Sequence, residues 1–159
     1  MNGTGAIIVS AFAVLWIAAG THQLGRLWFA LLLLLALLVS GVFVFAAGFI
    51  PYAARGGHFH GRIYQIFVAL EVVAIIAAVV LLKRTGRKQY LVPVIALIVG
   101  AHFFGMVPAL SSDLFWWVGG AMCVLPLLAM WILPQKAWAP VVGIGCALIL
   151  WLSALGAFF

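Results

Sequence analysis

The sequence predicts an all-α, polytopic membrane protein: one integral domain, residues 1–159, folded as a bundle of six transmembrane helices with short loops and both termini extracytoplasmic. Three observations predict it. Of the 159 residues, 69% are hydrophobic and 6% are charged, against roughly a quarter charged in soluble chains. A mean hydropathy of +1.36 leaves too little polar surface to meet water. Charges, Gly and Pro cut the chain into six apolar runs, each near the ~20 helical residues that cross a ~30 Å hydrocarbon core.

The runs place helices at 6–20, 28–50, 62–82, 90–110, 114–133 and 138–159. The first follows MNGTG, which has neither a basic leader nor an A-x-A cleavage pattern, and so reads as a retained helix rather than a signal peptide. The second contains Leu31 to Leu35, apolar on every face, where a membrane barrel strand would alternate apolar with polar. The third runs from Arg62 to the brink of Lys83 and carries Glu71. His102 is the only strongly polar side chain within the fourth. The fifth begins after Ser111, Ser112 and Asp113, and the sixth after Pro134 and Lys136. Pro51, Pro93, Pro108, Pro126 and Pro140 read as kinks or helix ends. Cys123 and Cys146 fall inside apolar runs without metal or redox spacing, as small packing residues.

The formal net charge of +6 would suggest nucleic acid in a soluble protein. Here the basic residues occupy gaps between apolar runs, so they set topology and no nucleic-acid partner is expected. One set of gaps holds Arg26, Lys83, Arg84, Arg87, Lys88 and Lys136; the other holds Arg55 and Arg62. The positive-inside bias puts the first set in the cytoplasm. Two triplets of helices could form an inverted repeat, yet Glu71 in the third helix has no acidic counterpart in the sixth, which offers only Ser153.

Glu71 lies mid-membrane, where an ionised acid costs about 2.5–3.5 kcal/mol on insertion scales and faces protein or a wet cavity. An uncharged glutamic acid is cheaper there. His102 is its natural partner: both lie about 12–14 Å below the outer ends of consecutive helices, and a short connector makes those helices antiparallel neighbours. A Glu71–His102 hydrogen bond is therefore expected. Phe67, Ala74, Ile75, Ala78 and Tyr64 share the Glu71 face, and Ile95, Ile98, Val99, Gly105, Met106 and Ala109 share the His102 face. Small residues on both faces let helices approach closely.

The outer mouth gathers Tyr52, Arg55, His58, His60, Arg62, Asp113, Trp116 and Trp117. Trp and Tyr anchor helices at interfaces without further function. His58 and His60 lack a third ligand, so no metal site is expected. Asp113 reads either as a polar group at the mouth or as a cap for the fifth helix.

Three functions are compatible with this inventory. In the first, a membrane enzyme of the cyclase or isomerase type uses Glu71 as general acid on an apolar lipid or isoprenoid, with His102 holding or reloading the proton. Its substrate pocket draws on Tyr64, Phe67, Phe103, Phe104, Met106, Asp113, Trp116 and Trp117, whose aromatic faces can steady a carbocation; no cofactor is required. In the second, a proton-linked transporter alternates a proton and a cationic solute on Glu71. In the third, the polar pair only orders the bundle of a structural or accessory membrane protein.

An acid among aromatics in a helical bundle resembles the small integral-membrane terpene cyclases and the membrane sterol isomerases in chemistry. A lone membrane glutamate resembles the small multidrug exporters, which have four helices per subunit. In sequence pattern, GRIYQIFVALEVVAII followed by YLVPVIALIVGAHFFGMVPAL resembles a family of small bacterial multi-helix membrane proteins of uncharacterised function. Those carry a glutamate in one helix and a V-G-x-H-F-x-P-L-A-like run in the next. The resemblance covers Gly61 to Leu110 and supports pairing Glu71 with His102; the chain as a whole is expected to be a multi-pass protein of the plasma membrane. It departs after His102-Phe103-Phe104, where Gly105, Met106 and Val107 precede Pro108.

Overall fold

A computed structural model describes residues 3–48, 60–110 and 112–156. Among them six α-helices form: α1 (Gly3–Thr21), α2 (Arg26–Ala47), α3 (Gly61–Arg84), α4 (Leu91–Leu110), α5 (Leu114–Ile132) and α6 (Gln135–Leu155). The protein is all-α, and α2 to α6 are long and apolar enough to cross a membrane. The apolar stretch of α1, Ile7–Thr21, is shorter. Large apolar side chains point outward along the helices, with Leu27 70%, Phe45 72% and Trp131 81% exposed. In water these would be a heavy penalty; in lipid they are the solvated surface.

The expected spans hold to within a few residues. α1 begins at Gly3 and α6 at Gln135, each three residues ahead of the expectation. Neither Thr4 nor Lys136 breaks a helix, and Ala137 N–H bonds the Pro134 carbonyl at 2.8 Å to start α6. The last three positions expected in each of α2 and α6 lie outside the described residues, apart from Gly48, which closes α2. Pro108, Pro126 and Pro140 are held within helices.

The chain divides into two compact units. The first takes Met1–Gly56 with Ala139–Phe159 and joins α1, α2 and most of α6. Val9, Ala13, Trp16 and Ile17 make one buried stripe on α1, and Val142, Cys146, Ala147, Leu150 and Ala154 make another on α6. α1 and α6 cross at Gly20 and Gly143, where a Cβ on Gly143 would stand 2.6 Å from Gly20 Cα and from the Trp16 carbonyl. Only glycine permits that approach. A polar chain ties the three helices: Trp151 Nε1–H donates to Ser40 Oγ at 3.1 Å, and the Ser40 hydroxyl donates to the Ser10 carbonyl at 2.9 Å.

The second unit, Gly57–Trp138, holds α3, α4, α5 and the first residues of α6. α3 and α4 form an antiparallel hairpin, closed at one end by His60 N–H on the Ala109 carbonyl at 3.0 Å. α4 meets α5 at Gly100 and Gly119, where a Cβ on Gly119 would come within 2.8 Å of the Gly100 carbonyl. Cys123 Sγ is turned toward the Leu97 carbonyl at 3.8 Å in the same contact.

Candidate functional site on the α3–α4 hairpin

α3 has a protein-facing side and an open side. Tyr64, Phe67, Glu71, Ala74, Ile75 and Ala78 are all partly buried, while Ile66, Leu70, Val73 and Ile76 are exposed. This is the i, i+4, i+7 pattern of one helical face. On α4, Gly105, Met106 and Ala109 are buried and His102 and Phe103 partly so. The hairpin brings the two faces together at matching depth.

His102 Nδ1 lies 3.5 Å from Glu71 Oε2, with side-chain exposures of 7% and 17% respectively. That distance exceeds a well-formed hydrogen bond. The closer partner of Nδ1 is the backbone carbonyl of Phe67, at 3.2 Å. The expected side-chain bond is thus a looser contact, and the stronger one goes to the backbone. The reason is geometric: Phe67 is one helical turn before Glu71, so its carbonyl and the Glu71 carboxyl flank the same space on α3.

A carbonyl oxygen only accepts, so Nδ1 must carry the hydrogen that lies between them. The Nδ1–H donates to Phe67 and leans toward Glu71 Oε2. In the neutral ring this leaves the lone pair on Nε2.

Aromatic groups surround the imidazole. The Phe67 ring meets it edge-on at a centroid distance of 6.5 Å, and Phe103 does so at 6.1 Å. Phe67 lies in the space opened by Gly105, since a Cβ there would overlap its ring. Phe103 stacks on Phe115 at 5.8 Å with the planes 7° apart. Met106, Ala109 and Phe115 form a buried cluster against which Ile63, Tyr64, Val68 and Phe103 pack.

The remaining expected residues stand apart from this group. Phe104 pairs with Trp116 at 5.4 Å, on the α4–α5 side where its ring borders Gly119. Trp116 is 54% and Trp117 79% exposed, as suits interfacial anchors. Asp113 is exposed and makes no side-chain cap to α5, so the capping expectation is not met; the Trp116 amide bonds the Asp113 carbonyl instead. His60 and Arg62 are exposed at the start of α3. Tyr52, Arg55 and His58 lie outside the described residues. Among the described residues, no three His, Cys, Asp or Glu side chains converge as a metal set.

The sequence reading missed the Phe67 carbonyl and Phe115; it placed Gly105 on the His102 face as a small residue, without its contact to the Phe67 ring. Phe115 had a faint signal, an aromatic at the start of the neighbouring helix. A backbone acceptor leaves no trace in composition. Comparison with known protein families, curated proteins and solved structures finds no match. The chemistry of the site therefore rests on its geometry.

Proposed function

We propose that this chain is a six-span enzyme of the plasma membrane that isomerises or cyclises an apolar lipid or isoprenoid, with Glu71 as general acid. Both termini lie outside, and the connectors bearing Arg26, Lys83, Arg84, Arg87, Lys88 and Lys136 lie in the cytoplasm. The observation that carries the reading is the placement of the one mid-membrane carboxyl 3.5 Å from His102 Nδ1, with both side chains largely shielded and Phe67 and Phe103 ranged about the ring.

The chemistry is proton-neutral. The Glu71 carboxylic acid adds its proton to one carbon of a substrate alkene, and the π electrons form the new C–H bond, leaving a carbocation. A neighbouring C–H then yields its proton to the carboxylate, its electrons closing a new double bond. Aromatic rings near the path lower the energy of the cation. The His102 Nδ1–H, leaning toward Oε2, favours the acid proton on Oε1, from which it would pass to the substrate. It also steadies the carboxylate once the proton has gone.

The test is native mass spectrometry with lipid extraction, comparing wild type with Glu71→Gln. An apolar molecule retained intact by the variant and chemically altered by wild type supports the reading. Identical spectra with nothing specifically bound overturn it and favour proton-linked transport, which flux across liposome membranes then measures.

A further inference from the structure

Five cations gather at one end of the Gly57–Trp138 unit. Lys83 and Arg84 close the last turn of α3, Arg87 and Lys88 follow in the connector, and Lys136 belongs to the first turn of α6. All five are exposed. The chain has only two carboxylates. Glu71 is about 18 Å back along α3 from Lys83, and Asp113 lies beyond the far end of α4. Among the described residues the cations have no counter-charge of their own.

The connector that presents them is a fixed turn. Gly86 takes φ 71, the left-handed conformation that lets the chain reverse. Arg87 N–H donates to the Leu82 carbonyl at 2.9 Å and Gly86 N–H to the Lys83 carbonyl at 3.3 Å. The Thr85 hydroxyl donates to the Leu81 carbonyl at 2.8 Å, and Tyr90 N–H bonds the Arg87 carbonyl at 3.1 Å. The carbonyls of Leu81, Leu82 and Lys83 are thus already satisfied by the turn itself, so the cations are not consumed in capping them.

Beside the turn, Tyr90 packs on Trp138 at 5.2 Å, and Trp138 Nε1–H donates to the Leu133 carbonyl at 2.9 Å. Amphipathic rings of this kind settle at the headgroup level of a bilayer. One turn further in, Val80 and Leu81 are exposed and apolar. A topological bias needs only a count of charges; it does not need a capped turn, an aromatic pair and an apolar flank in register.

We propose that this end binds an anionic phospholipid, its phosphate held among Lys83, Arg84, Arg87 and Lys88 and its acyl chains lying along the exposed side of α3. A free phosphate ion would use the cations and leave the aromatic pair and the apolar flank without a role. The inference does not depend on the chemistry at Glu71.

The test is native mass spectrometry of the whole chain released from nanodiscs holding equal amounts of phosphatidylglycerol and phosphatidylethanolamine. Wild type should retain phosphatidylglycerol over phosphatidylethanolamine by about tenfold or more, the scale that several cations at a membrane surface support. The Lys83→Gln, Arg84→Gln, Arg87→Gln, Lys88→Gln variant should lose that preference, while Lys83→Arg, Lys88→Arg keeps it. Both variants are scored only on protein whose orientation, read by cysteine labelling, matches wild type. Equal retention of the two lipids by wild type overturns the proposal. So does a preference that survives the fourfold substitution, or one abolished by inorganic phosphate alone.

Discussion

The imidazole of His102 is hydrogen-bonded through Nδ1 to the carbonyl of Phe67, 3.2 Å away and one turn before Glu71 on α3. This bond chooses the tautomer. In the neutral ring the hydrogen sits on Nδ1, and nitrogen-15 NMR of histidine-labelled protein should show Nε2 as the unprotonated nitrogen of His102. A neutral ring protonated on Nε2 would contradict the geometry.

Replacing His102 separates stability from activity. His102→Leu removes one interhelical bond and should cost about 1 kcal/mol in unfolding, since the Phe67 carbonyl keeps its helical partner. If Glu71 acts as an acid beside it, turnover of the extracted substrate should fall by about 10²-fold or more. Loss of both in equal measure would mark the pair as purely structural.

Gly105→Ala places a methyl against the Phe67 ring. The expected cost is about 1–3 kcal/mol, measured by thermal unfolding in detergent. Phe67→Ala in the same chain should recover part of it, because a side chain rather than backbone is in the way. An additive double variant would show that the two positions do not touch.

Gly143→Ala offers no such relief. Its Cβ would meet backbone atoms of Gly20 and Trp16 at 2.6 Å, which can move only if α1 and α6 separate. The loss should exceed that of Gly105→Ala, and Trp16→Ala should not restore it.

Trp151→Phe breaks the first link in the chain from Trp151 through Ser40 to the Ser10 carbonyl, and Ser40→Ala breaks both. Each should cost about 0.6–2 kcal/mol, and the double variant should cost less than their sum because both remove the same bond. Full additivity in unfolding would mean that the links act independently.

The membrane-helix architecture was legible because lipid demands long apolar runs, and Arg62, Lys83 and Lys136 bracket them. The meeting of Glu71 and His102 was legible for a related reason: two polar groups at equal depth on consecutive helices have little choice of partner. What escaped the sequence were contacts without a chemical signature in the chain. The Phe67 carbonyl is identical to every other carbonyl until the hairpin is folded. Trp151 and Ser40 are far apart in sequence, and on their own helices each passes for an ordinary membrane residue. Lipid solvates apolar side chains on every face, so hydropathy does not say which face of a helix turns inward.

The first unit is also discontinuous along the chain. Its two opening helices are completed by α6, through the Gly20–Gly143 crossing and the Trp151–Ser40 bond, whereas Gly57–Trp138 is contiguous. During synthesis the middle of the protein can therefore assemble while α1 and α2 still lack their third wall. A ribosome paused before Ala139 would leave Ser40 and Ser10 facing lipid without Trp151. That interval is when quality-control proteases and insertion chaperones would have most purchase on the nascent protein.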